Sequence, residues 1–374
     1  MAVEEVYYDI ARGMKDSELE YLPRLLAKMF TLEEANIVRE LPAPPEDIAR
    51  ELGLDAEHVK KTCKKLVREG KILQTDRGPR PFNYGSQFGD ILLADPAQDE
   101  TRDDEFWLLL TNYLTSPERM ANERRYLTRD IQIDGQPINR VVPQWKAIEG
   151  IPGVMPCEDM REILNAYSDR LNTTRCICRT ATKQGIRLFG LETHCPIPEG
   201  AGTLPEEGNC IHLGQMAEYF TEAMELTPYR STEGILEHLA KIEDKAHYQM
   251  GPNGRDVKFI CTCCDCCCGV ANAIKSSPDY DLSDMLAKSR FLSSVDAGEC
   301  TGCEDCLAIC PFHAIEMQDG KARIDAEKCY GCGICVLNCP AEALQMKIVR
   351  PPEHIPENGA QLVDVEILEV RELT

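Results

Sequence analysis

The chain has 374 residues with a formal net charge of −22, a hydrophobic fraction of 43% and twenty cysteines. Length allows two or three domains of ordinary size. The acidity disfavours the chain as a whole as a binder of phosphate backbones, and no uninterrupted apolar run is long enough for a transmembrane helix. The first residues mix acidic and apolar side chains without the basic start of an export signal, so a cytoplasmic protein is expected. In a reducing compartment so many thiols are ligands for metal before they are disulfides.

From the N-terminus, an apolar-periodic stretch from Tyr21 to Leu41 stops at Pro42, Pro44 and Pro45. A short helix over Glu46–Leu52 closes at Gly53, and a third spans about Ala56 to Glu69, closed by Gly70. Lys71–Thr75 reads as a strand, 76–79 as a turn, and Pro81–Gly85 as a loop or return strand. Lys60, Lys61, Lys64, Lys65 and Arg68 form one stripe on the third helix, opposite Val59, Cys63, Leu66 and Val67. This order of elements resembles a winged helix, which implies a groove-reading helix or a docking surface. Between Glu46 and Arg80 nine basic residues face seven acidic ones, a small excess for a DNA binder, so nucleic acid is the less favoured partner.

The next stretch has little diagnostic chemistry. Asp95–Asp104 reads as an acidic linker, and Phe106–Tyr113 and Ser116–Thr128 read as helices. Gly135 is expected to turn a hairpin between Ile131–Ile133 and Ile138–Val142. Trp107 and Trp145 read as packing anchors, Cys63 and Cys157 as plain packing thiols, and His247 as a surface residue.

Cysteine density then rises abruptly: Cys176, Cys178, Cys195, Cys210, Cys261, Cys263, Cys264, Cys266, Cys267 and Cys268. Six of them fall within eight positions of one another, an arrangement no apolar core requires and metal readily explains. An iron–sulfur centre, zinc, or thiols poised for disulfide exchange all suit such a set. His194 and His212 stand next to these cysteines as ligands or as hydrogen-bonding neighbours of ligands, and Arg175 and Arg179 flank the first pair.

After a short helical linker beyond Asp281, Cys300, Cys303, Cys306 and Cys310-Pro311 fit the pattern C-x-x-C-x-x-C-x-x-x-C-P, and Cys329, Cys332, Cys335 and Cys339-Pro340 repeat it. This resembles the bacterial two-cluster ferredoxin module. The resemblance implies two [4Fe–4S] clusters with crossed ligation. Cys300, Cys303, Cys306 and Cys339 would hold one, and Cys329, Cys332, Cys335 and Cys310 the other. It also implies a hairpin turning at Asp319-Gly320 and a closing strand over Leu344–Val349. Over about residues 140–350 the whole cysteine pattern is similar to a family of dicluster iron–sulfur proteins of anaerobic bacteria that has no settled activity.

The expected fold is therefore α+β and multi-domain: a winged-helix-like domain (1–90), a Cys-rich iron–sulfur domain (91–290), a βαββαβ ferredoxin-like module (291–350) and a tail (351–374). No dinucleotide or Walker fingerprint occurs. The expected function is electron transfer in an anaerobic redox system, with a flavoprotein or another redox subunit as partner. Two alternatives stay open: an enzyme reducing a substrate at the middle centre, and a redox-sensing regulator acting through the winged helix.

Overall fold

The computed structural model describes residues 3–14, 19–75, 77–82, 85–190, 209–242 and 247–359, without the side chains of 85–88. Five helices open the chain: α1 (Glu5–Gly13), α2 (Leu22–Met29), α3 (Leu32–Glu40), α4 (Pro45–Leu52) and α5 (Ala56–Arg68). The stretch expected as one apolar segment is two helices. Thr31 takes a hydrogen bond from the Glu34 N–H while Glu34 takes one from the Thr31 N–H, and this capping box restarts the helix. Gly53 ends α4 in the left-handed conformation, as a glycine can without strain. The return strand comes earlier than expected: β1 (Leu73–Thr75) pairs antiparallel with β2 (Gly78–Arg80).

Helices α6 (Gly85–Leu92), α7 (Asp104–Thr115) and α8 (Pro117–Arg125) follow. Trp107, Leu110 and Tyr113 of α7 are buried with Leu25, Ile37, Ile48, Val59 and Leu66 of the first helices. The same core takes in Tyr219, Phe220 and Met224 from much later in the chain, so the N-terminal helices and the central region are packed as one.

The central region comprises β3 (Asn139–Val142), α9 (Trp145–Ile148), α10 (Met160–Asn165), β4 (Leu171–Thr174) and α11 (Ile177–Phe189). It continues through β5 (Cys210–Leu213), α12 (Gln215–Glu218), α13 (Thr232–Ala240), β6 (Tyr248–Pro252), β7 (Phe259–Cys263), α14 (Gly269–Lys275) and β8 (Leu286–Ala287). Six strands form a sheet in the order β4-β5-β7-β6-β3-β8, antiparallel except for the β3–β8 pair. The expected hairpin around Gly135 does not form. Asp134 and Gly135 make a turn, but β3 pairs with the distant β6 and β8. His247, expected at the surface, is buried where its carbonyl accepts from Gln144 Nε2.

The last part runs β9 (Phe291–Val295), α15 (Asp305–Ile309), β10 (Ile315–Gln318), β11 (Lys321–Ile324), α16 (Ile334–Leu337) and β12 (Leu344–Ile348). The β10–β11 hairpin turns at Asp319-Gly320, and β12 lies antiparallel to β9. Gly302 and Gly331, Glu304 and Gly333, and His313 and Glu342 all have positive φ, and each pair is 29 positions apart, as are matching cysteines of the two motifs. At Gly331 a Cβ would sit 2.2 Å from the Phe291 carbonyl oxygen, so only glycine fits.

This module is seated firmly on the centre. The Gln144 N–H donates to the Cys332 carbonyl at 2.8 Å, and Arg290 Nη1 meets Glu158 Oε2 at 2.8 Å with both side chains buried. Removing one partner of such a pair leaves an uncompensated interior charge, at a cost of about 3–5 kcal/mol. The overall architecture is thus mixed α/β and multi-domain, with a small module in the C-terminal part that carries the two repeated cysteine motifs.

Candidate metal centres

The two local motifs fold into two separate small cavities, each about 20 Å³. Cys300, Cys303, Cys306 and Cys339 line one; Cys310, Cys329, Cys332 and Cys335 line the other. In each, the fourth cysteine comes from the other motif. Backbone amides point at sulfur in both: the Ala322 N–H donates to Cys300 Sγ at 3.5 Å, and the Ala314 N–H to Cys310 Sγ at 3.4 Å. The bond from Ala322, with that from Gly302, holds the half-buried Cys300 thiol below its ordinary range. Burial pushes Cys335 up to about 12, even with Ser293 Oγ 3.3 Å from its sulfur. Four thiols per cavity, amide donors and loops with no room for a Cβ all fit a cubane, which takes the thiolate form of its ligands.

The middle cysteines gather from three places in the chain. Strand β4 delivers Cys176 to the start of α11, whose first turn carries Cys178. Cys210 begins β5 directly opposite Cys261 on β7, and Cys263 is two residues further along the same face. Cys264, Cys266 and Cys267 occupy the following loop, and Cys268 sits at the start of α14. The thiols neighbour one another in turn, Cys176 beside Cys178 and Cys210, Cys210 beside Cys261, Cys261 beside Cys263, Cys263 beside Cys268, and Cys268 beside Cys178. Six thiols thereby close a ring. Cys176 is held well below its ordinary pKa, first by the neighbouring thiols of Cys178 and Cys210 and then by Arg179. Cys178, Cys210, Cys261 and Cys263 are raised well above theirs, by thiol neighbours first and then by burial. Six such groups ionise together only around a cation.

Cys264, Cys266 and Cys267 bring their sulfurs within 4.8 Å of one another, a second grouping able to hold metal. Cys195 and His194 lie outside the described residues. Cys63 and Cys157 are buried away from these groups in the apolar cores, and burial pushes Cys63 up to about 11, as suits a packing thiol. None of the described cysteines is in a disulfide.

The ring, with Cys264 and Cys267 of the loop trio, borders one cavity of about 190 Å³. Its other walls are largely apolar, with Leu73, Ile91, Met216, Tyr219 and Phe220 among them. Asp90, which no sequence motif marked, opens its carboxyl on this cavity within surrounding protein, and burial, aided by Glu123 and Cys176, pushes it up to about 7. Glu123 also lines the cavity and pairs with Arg119 at 3.3 Å. His212 is a wall residue whose Nε2 lies 2.9 Å from Thr174 Oγ1 and whose ring packs on Phe220; burial pulls it down to about 3, so it stays neutral. Arg179 reaches the cavity and donates to the Thr262 carbonyl, whereas Arg175 turns away to Asp99 and the Leu93 carbonyl. Arg175 is therefore engaged in holding the 93–99 segment rather than facing the cavity.

Between this cavity and that of Cys310, Cys329, Cys332 and Cys335 lies an aromatic stack. Tyr330 packs on Phe312 at 4.4 Å, and Phe312 on Tyr248 at 4.9 Å. Tyr248 is the β6 partner of Cys263 and has Cys268 as a side-chain neighbour.

The basic stripe of α5 is partly consumed within the chain. Lys65 pairs with Glu34 and Glu69, and Arg68 with Glu225 of the central region; Lys61 and Lys64 are exposed. Among the described residues no helix is long and apolar enough to cross a membrane.

Neither the curated proteins nor the solved structures include a match to this chain. Residues 299–343 match the family described as a 4Fe–4S dicluster domain, which places an iron–sulfur module at the C-terminal end of the chain.

Proposed function

We propose that this chain is an iron–sulfur electron-transfer protein, in which the C-terminal module passes single electrons to a metal centre among the middle thiols. Two cubanes would be held by the cysteine quartets lining the small cavities, and they would supply the one-electron redox chemistry. The protein's own part is to fix their positions, exclude water and join them to the middle site. The observation that carries this reading is the stack Tyr330–Phe312–Tyr248, whose ring centres lie 4.4 and 4.9 Å apart and which leads from the second quartet toward Cys263 and Cys268. The charge of −22 suits a redox partner, such as a flavoprotein subunit, that presents a basic docking patch.

A rapid-mixing experiment tests it. Anaerobic protein is mixed with a low-potential one-electron donor while the cluster signals are followed. The module should be reduced first and the middle centre afterwards, and Phe312→Ala should slow only the second phase. Equal rates in wild type and variant would remove the relay.

A second reading, reduction of a small substrate at the middle site, is favoured by the apolar walls of the large cavity and by the Asp90 carboxyl facing into it, a proton source beside an electron source. A regulator reading through DNA has less behind it, since the α5 stripe spends part of its charge on Glu34, Glu69 and Glu225.

A further inference from the structure

The middle cysteines are more than one cubane can use. A cubane takes four thiolates, yet nine described cysteines crowd this region, and five would be left as surplus thiols in an enclosed site. Their connectivity divides them. The ring of Cys176, Cys178, Cys210, Cys261, Cys263 and Cys268 closes on itself, built from two facing strands and the starts of two helices. Cys264, Cys266 and Cys267 belong to one loop, with Cys266 Sγ 3.6 Å from Cys264 Sγ and 3.5 Å from Cys267 Sγ. The molecule supplies its own yardstick of size. Each cavity lined by four cysteines measures about 20 Å³, and the one bordered by the ring with Cys264 and Cys267 about 190 Å³.

We propose that the middle region holds two separate iron–sulfur centres, one in the six-thiol ring and one on the Cys264–Cys266–Cys267 loop. This rests on the reading above that the middle thiols bind iron. Soft thiolate sets select iron–sulfur clusters, zinc or Cu(I), and beside a dicluster module in the same chain an electron carrier is the one with a use. The two centres differ in kind. Three loop thiolates leave one corner of a cubane to a donor other than these three, so that iron is chemically distinct from the rest. Six ring thiolates exceed a cubane's needs and suit a larger or bridged centre. Both centres would adjoin the module: the aromatic stack ends at Cys263 and Cys268 of the ring, and Asp265, inside the trio, lies 3.5 Å from His313 Nε2 next to Phe312.

The experiment is iron, zinc and acid-labile sulfide analysis of the anaerobically purified full chain, with Mössbauer and EPR spectra of wild type, Cys266→Ser and Cys210→Ser. Wild type should carry at least about sixteen iron atoms, eight of them in the module. Cys266→Ser should remove one signal and Cys210→Ser a different one, with the module's signals intact in both as the control for folding. About twelve iron atoms, with both variants losing the same signal, would overturn the division into two centres while leaving iron in the middle region. Stoichiometric zinc lost with Cys266→Ser would likewise overturn it. Eight iron atoms and no zinc would overturn the underlying reading as well.

Discussion

Asp90 shows how a single side chain records its surroundings. Burial raises its carboxyl from the ordinary 3.8 to about 7; Glu123 and Cys176 add to the rise and Arg119 opposes it. Between those two values the folded protein keeps a proton that the unfolded chain has released, so stability falls as pH rises through this window and levels off above it. Asp90→Asn should abolish that slope. The variant should match wild type near about pH 4 and be the more stable above about pH 7, by less than the whole shift would give, because the Asp90 side chain is solvent-accessible and water screens it. Anionic clusters bound close by would push the carboxyl further in the same direction. The direct check is the infrared carbonyl band of a protonated carboxylic acid, titrating near neutrality and missing in the variant. A wild type without that band would show that Asp90 is ionised throughout. Nothing in the sequence marks Asp90, because its role depends on α6 being packed over cysteines that arrive from residues 176, 210 and 261–268. The module's cysteines were legible for the opposite reason. Three of the four lining each cavity sit within seven positions of one another, and the fourth follows the partner motif at the same spacing.

At the scale of elements, local signals were read well where the cause is local. Gly53 and Gly70 mark the ends of α4 and α5, and the Asp319-Gly320 turn sets the β10–β11 register. Reading failed where a cap interrupts a continuous apolar pattern, as at Thr31. That box should be worth about 1 kcal/mol, so Thr31→Ala should lower stability by that amount through loss of the α3 cap. Glu34 would keep its pair with Lys65, and a melting or denaturant curve checks the loss. An effect below measurement would mean that packing of Ala35, Ile37 and Val38 alone fixes the helix start. The α5 stripe was visible as a pattern, but its partner was not: Glu225 follows Arg68 by 157 positions. The β3 hairpin failed for the same reason. Two adjacent strand-like segments suggest each other, while the sheet pairs β3 with β6 more than a hundred residues away.

Across the whole molecule, the order of sites has a direction. The quartet Cys300, Cys303, Cys306 and Cys339 lies in the part of the module remote from the aromatic stack, and Phe312 and Tyr330 line the cavity of the other quartet. Cys310 is the decisive residue, because it is next in sequence to the first motif yet shares a cavity with Cys329, Cys332 and Cys335. Cys310→Ser should therefore strip or alter the second cluster and spare the first, although three of its neighbours in the sequence motif belong to the first. EPR of the reduced variant distinguishes the two. Loss of the Cys300–Cys303–Cys306 signal would mean that ligation is not crossed. The same variant also tests direction. If electrons enter at the first cluster and leave through the second, the remaining cluster should still accept an electron while the middle centre is reduced at least tenfold more slowly. A middle centre reduced at the wild-type rate would mean that electrons reach the thiol ring by a route other than the stack, and the large cavity would then be the place to look for it.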